Sequence, residues 1–135
     1  MIFHCLSVRQ PWAWLLVHGP KDVENRTWET RYRGPLLIHA SKTPEAEDWR
    51  WLVDKGHKIL PLDDLPRGAI IGAMNLVDCS KTCRSDWHNP GCWGWYVASP
   101  RVLPAPIPYR GQQGIFPVPA TVLAGKGFAA ATPEG

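Results

Sequence analysis

Along this chain the apolar positions change their spacing several times, and each change marks an element. Residues 2–8 read as a first strand. After Gln10 the spacing turns helical: Pro11 suits the first helical position, and Trp12, Leu15 and Leu16 share a face. Gly19-Pro20 stops that short helix. Residues 21–33 return to alternation, with Val23, Asn25 and Thr27 on one side and Glu24, Arg26 and Trp28 on the other. A turn at Arg33-Gly34-Pro35 leads into a buried strand over 35–40. Thr43 and Pro44 then read as N-cap and first residue of a second helix, with Glu45, Glu47 and Asp48 placed favourably against its dipole. Its apolar positions are Ala46, Trp49, Leu52 and Val53, and Gly56 ends it. A Pro- and Asp-rich loop over 60–66 precedes a strand over 68–78, a polar loop over 79–91 and a strand over 92–99. The alternating prolines of 104–108 suit a rigid polyproline-like crossover, and a last strand covers 114–118.

Five or six strands with two short helices inserted early predict an α+β, mainly β fold. Closure into a small β-barrel would remove the edges that so short a chain could hardly cover. The chain has 135 residues, which is room for one domain of ordinary size, expected over 1–124 with a flexible Gly- and Ala-rich tail over 125–135. Twelve Gly and 14 Pro oppose a helical bundle, and eight Trp exceed what a small core needs, so some are candidates for a ligand. The net charge is only +3, but it is +3 over 1–42, −3 over 43–78 and +3 over 79–135. That arrangement suits one basic face with an acidic back, which phosphate-bearing partners would favour. No apolar run approaches a membrane span, and the first residues lack a secretory pattern, so the expected location is cytoplasmic with the four Cys as thiols.

Four stretches carry candidate chemistry. In Gly19-x-Lys21-x-x-Glu24-x-Arg26, an ammonium, a carboxylate and a guanidinium come together, with Trp28 on the same strand face. Such a set can bind a phosphate, polarise an amide or stack a base; an ordinary surface ion-pair set is the bland alternative. In Ile38-His39-Ala40-Ser41-Lys42, a His and a hydroxyl share a face at the end of a buried strand. They are a base with its nucleophile, or polar groups satisfying each other. Cys79, Cys83, His88 and Cys92 have zinc-ligand types, but neither pair has C-x2-C spacing, and ordinary thiols are the preferred reading. No metal or other cofactor is expected. Finally comes an aromatic stretch, Trp87 and then Trp93 and Trp95 on one strand face with Tyr96 on the other, which serves as core or as a platform for a base.

The segments Leu6-Ser7-Val8-Arg9-Gln10-Pro11-Trp12-Ala13 and Gly19-Pro20-Lys21-Asp22-Val23-Glu24-Asn25-Arg26-Thr27-Trp28 resemble the ASCH domain. Tyr32 through Lys42, and Gly94-Trp95 through Pro108-Tyr109-Arg110-Gly111, fit its bacterial and phage-type members. The resemblance covers residues 4–119 and implies a PUA-like barrel with a cleft beside the first helix. It implies association with RNA, single-stranded or modified, with DNA left open. The RNA-contacting set would be Gln10, Trp12, Lys21, Arg26, Trp28 and Lys42, with Glu24 reading a base edge. Some relatives are similar to ribonucleases, and a shorter one hydrolyses N-acetylated cytidine with a Lys and a Thr. Carried over, the Lys falls on Lys21 and the Thr on Glu24, which has no hydroxyl. Ser41 or Thr27 would have to substitute. The alternative function is thus an RNA-directed hydrolase using Lys21, Glu24, His39 and Ser41. A protein-interaction module built on the Trp-rich surface is a third.

Overall fold

The computed structural model describes residues 1–127, with elements in the order β1 (Ile2–Val8), α1 (Trp12–His18), β2 (Val23–Arg26), β3 (Gly34–Ala40), α2 (Ala46–Asp54), β4 (Ala69–Ser80), β5 (Trp93–Pro108) and β6 (Ile115–Pro119). Among the described residues this is a mainly β fold with two helices, as the changes of period predict. No helix among them is long and apolar enough to cross a membrane. The six strands form one sheet in the order β2-β5-β4-β3-β1-β6. β1 runs parallel to β3, and the other neighbours are antiparallel.

Alternation along the strands feeds two apolar clusters. Leu6 and Val8 of β1, Leu36 and Ile38 of β3 and Met74 of β4 pack with Ala13, Leu16 and Val17 of α1 on one face. Phe3 and Cys5 point to the other, with Leu37, Ile70, Leu103, Ile107, Phe116 and Val118. Leu103 and Ile107 belong to β5 while Phe116 and Val118 belong to β6, with three strands between them in the sheet order. The sheet therefore curls around this second cluster, whose burial supplies the driving force. Burial also pushes the Cys5 thiol pKa upward, leaving it an inert core group.

Curling stops short of the closed barrel expected. β2 and β6 are edges, and no ladder joins them among the described residues. Pro104, Pro106 and Pro108 in β5 and Pro117 and Pro119 in β6 lack the N–H donors that a closing ladder needs. The 104–108 segment is not a separate crossover. It extends β5, with Ile107 opposite Ile70 and Pro108 opposite Ala69.

Three other expectations shift. The strand expected over 21–33 ends at Arg26, because the chain turns so that Trp28 packs edge-on to Trp95 at 4.7 Å and its carbonyl accepts the Trp95 indole N–H. α2 starts at Ala46 rather than Pro44, since the Glu45 N–H is donated to the Gln10 carbonyl at 2.8 Å. Pro11 lies just before α1, not inside it. Gly19 does stop α1, adopting φ 107° and donating to the Leu15 carbonyl. Of the tail expected over 125–135, residues 125–127 form a turn and the rest lie outside the described residues.

Gly72 marks the closest approach of α1 to the sheet. A Cβ there would meet the Arg101 carbonyl and would sit 2.8 Å from Val17 Cγ1. Gly72→Ala should lower unfolding free energy in urea by about 2 kcal/mol through overpacking. An unchanged midpoint would show that both α1 and the β5 backbone at Arg101 can shift to make room.

Candidate functional site

β2 is only four residues long, yet it carries the charged signature. Just past the α1 stop, Lys21 turns inward and is 3% exposed. Its Nζ donates to the Val23 carbonyl and, at 3.2 Å, to Glu24 Oε1. Glu24 Oε2 accepts from Arg26 Nε at 3.0 Å. The Arg26 Nη2 then donates to the Ser7 carbonyl of β1 at 2.8 Å. One carboxylate thus holds two cations, and one of those cations spans to β1. Lys21 Nζ also lies 5.6 Å from the Trp12 ring centroid, a cation–π arrangement.

Beside this cluster runs a chain of hydroxyls ending on an imidazole. Ser7 and His39 face each other in the β1–β3 register. Ser7 Oγ is 2.8 Å from His39 Nδ1 and 3.0 Å from Ser41 Oγ. His39 Nε2 lies 2.7 Å from the Tyr109 carbonyl, which can only accept, so Nε2 carries the proton. In neutral His39 the Nδ1 is then an acceptor, Ser7 donates to it, and Ser41 donates to Ser7. Burial lowers the His39 pKa, against an opposing pull from the Tyr109 carbonyl, which favours this neutral form.

Both features open on one cavity of about 840 Å³. Trp12, Lys21, Glu24, Arg26, Ser7 and Ser41 line its inner part. Glu45, Asp48 and Trp51, at and within α2, form one wall, and Asp86, Trp87 and Asn89 of the loop after β4 form the other. That loop is held by Asn25, whose amide donates to the Trp87 carbonyl at 2.9 Å and accepts from the Asn89 N–H at 2.8 Å. Trp12 donates its indole N–H to Asp48 at 3.0 Å, and Arg9 pairs with Glu45 at 2.5 Å. Across the mouth, His57 and Trp87 lie 5.1 Å apart. Three indoles therefore face one space.

Four of the residues singled out from sequence are not among those lining it. Gln10 is 0% exposed. Its carbonyl oxygen accepts the Trp14 N–H and its amide donates to the Pro66 carbonyl, so it caps α1. Trp28 turns away to Trp95, and Lys42 is exposed and packs near Gly68. His39 lies behind Ser7, buried, and meets the cavity only through that hydroxyl. Cys83 and His88 both flank Gly94, but His88 Nε2 bonds the Cys92 carbonyl, and no three His, Cys, Asp or Glu among the described residues, Cys79 included, are placed to hold a metal ion.

Nor is the lining basic. Arg9, Lys21 and Arg26 are opposed by Glu24, Glu45, Asp48 and Asp86. The acidic middle of the chain, expected at the back, supplies a wall through α2. Sequence reasoning also missed Ser7 and Trp51, and it grouped Trp87 with the Trp93–Trp95 stretch without giving it a role. Ser7 carried a signal, a lone hydroxyl inside an apolar strand, while Trp51 and Trp87 carried none beyond being surplus indoles.

Comparison with known proteins bears on the same segment. The model of the ASCH domain family matches residues 6–104. Human activating signal cointegrator 1 is 42% identical over 83 residues, covering 56% of this chain and 14% of the relative. Its mouse counterpart is 41% identical over 83 residues with the same coverage. The chain thus spans about one-seventh of the length of these curated relatives.

Two outcomes follow from the buried polar groups. Glu24→Ala strands the Lys21 ammonium and should cost about 3 kcal/mol in urea unfolding, whereas Arg9→Ala, at an exposed pair, should stay within about 0.5 kcal/mol. His39 has a folded pKa below its ordinary 6.5, so the unfolded chain binds more protons between the two values. Its contribution is present above pH 6.5 and is lost as pH falls below it. His18 is shifted downward too, by burial. Melting temperature followed from pH 7.5 to 5 should therefore fall, and His39→Gln should flatten but not abolish the slope.

Proposed function

The chain belongs to the ASCH domain family, and on that premise we propose that it binds RNA by taking a single nucleotide into the cavity between β2, α2 and the loop after β4. The observation that carries this reading is the convergence of Trp12, Trp51 and Trp87 with the Lys21–Glu24–Arg26 set on one space. Indole faces accept any base, at about 1–3 kcal/mol per stacked ring. Trp51 is 55% exposed, so it is accessible to a ligand as it stands. Lys21 and Arg26 offer donors, and Glu24 an acceptor, to a base edge or a phosphate. Trp28, Gln10 and Lys42 have no part in the pocket on this reading.

The mixed charge of the lining favours a base-centred grip over a track for the phosphate backbone. A single base enclosed by a cavity suits single-stranded or modified RNA better than a duplex. The curled sheet supports a PUA-like barrel left open along one seam, with the cavity at its rim. Action in the cytoplasm is part of the same proposal.

Titrating the intrinsic indole fluorescence with short single-stranded RNA tests it. Binding should be lost or weakened about tenfold or more by Trp87→Ala and by Lys21→Ala. The plot of log affinity against log salt should have a slope of magnitude about 2 or less, because few phosphates are neutralised. No binding at low salt, or full affinity in Trp87→Ala, would overturn the proposal. Equal affinity for single- and double-stranded RNA would remove the enclosed base from it.

A further inference from the structure

The hydroxyl–imidazole pair is more than the nucleotide reading needs. A base can stack on three indoles without a serine whose proton is aimed at a buried imidazole. We propose that Ser7 is a nucleophile and His39 its general base, making the cavity a site of acyl transfer on esters or amides. This goes beyond nucleotide binding and does not depend on it.

Three arrangements carry the inference. The first is nucleophile to base: Ser7 Oγ lies 2.8 Å from His39 Nδ1, within the reach a proton transfer needs. The second is base to orienting group: His39 Nε2–H donates to the Tyr109 carbonyl at 2.7 Å, fixing the tautomer that leaves Nδ1 free to accept. The third is access. Ser7 and Ser41 line the cavity while the imidazole does not, so the hydroxyl is the reactive face of the pair. The far side is closed by Gly111, where a Cβ would lie 3.0 Å from both His39 Nδ1 and Ser7 Oγ. Arg26 Nη2, bonded to the Ser7 carbonyl at 2.8 Å, keeps a guanidinium beside the serine.

The reaction balances with water as the only co-reactant. Ser7 Oγ bonds to the acyl carbon as its proton passes to His39 Nδ1, and the carbonyl pair moves onto oxygen. The tetrahedral adduct collapses, breaking the bond to the leaving alcohol or amine, which takes the proton from Nδ1. Water then attacks acyl-Ser7, giving one proton to Nδ1, and the carboxylic acid leaves as Ser7 recovers its proton. His39 Nε2–H stays on the Tyr109 carbonyl throughout. Ser41, donating to Ser7 Oγ at 3.0 Å, stabilises the developing alkoxide.

The test treats the whole chain with diisopropyl fluorophosphate and follows intact mass, then maps the adduct, with p-nitrophenyl acetate hydrolysis as a second readout. One adduct per chain on Ser7 is expected, absent in Ser7→Ala. Labelling should slow about 100-fold in His39→Gln, which keeps a donor for the Tyr109 carbonyl but removes the base. Should that variant fail to fold by circular dichroism, Ser41→Ala takes its place, with labelling slowed several-fold. No adduct on a folded wild-type chain, an adduct on another residue, or wild-type labelling rates in the folded imidazole variant (or in Ser41→Ala where it stands in) would overturn the proposal. RNA titration is read separately, so either reading can fail while the other stands.

Discussion

Everything in the cavity hangs on the Glu24 carboxylate. One of its oxygens holds Lys21 and the other Arg26, and Arg26 reaches the Ser7 carbonyl. β2 and β1 are separated by three strands in the sheet order, so no backbone ladder joins them. The guanidinium makes that connection through a side chain. A sheet whose edge strands share no ladder is thus tied across its opening by a guanidinium–carbonyl hydrogen bond that the Glu24 ion pair holds in place, and the tie lies beside the cavity. The same bond that completes the curled sheet positions the serine, the lysine and the arginine relative to one another. Because Lys21 is nearly buried, losing Glu24 leaves its charge uncompensated, whereas Glu24 without Lys21 keeps Arg26.

Much of this was legible from residue spacing. Both helices, the two flanks of the β1–β3 pair and the grouping of Lys21, Glu24 and Arg26 follow from period and from Gly19. The failures have physical causes that no local pattern encodes. Trp28 alternates correctly with Glu24 and Arg26, but the indole of Trp95, 67 residues further along, draws it off the strand. Gln10 has the look of a reader of bases, yet its amide is spent on capping α1 and on the Pro66 carbonyl. The prolines of 104–108 suit a crossover, but pairing with β4 makes them strand. Trp51 and Trp87 come from a helix and a distant loop, and only the tertiary fold sets them on the same cavity.

The charge pattern shows how a count along the chain misleads. Its alternation of sign suggests segregated faces, but α2 and the residue before it carry carboxylates to the cavity wall, where Glu45 meets Arg9 and Asp48 meets the Trp12 indole. The acidic residues there organise aromatic and basic neighbours instead of repelling a ligand from afar. The result is a pocket of paired charges and partly exposed rings, which on the proposed reading would select by shape and hydrogen bonding more than by net field.

The loop after β4 is held to β2 and its approach by Asn25 and Asp22, with Ser85 donating to Asp22 at 2.5 Å, and to the far wall by the His57–Trp87 ring contact. Neither core cluster draws a residue from its 81–92 stretch. One wall of the cavity is therefore a loop that lies outside both apolar clusters. The chemistry of that wall and the packing of the domain are thus set by different residues, and a change of side chain in 81–92 can alter the first without touching the second.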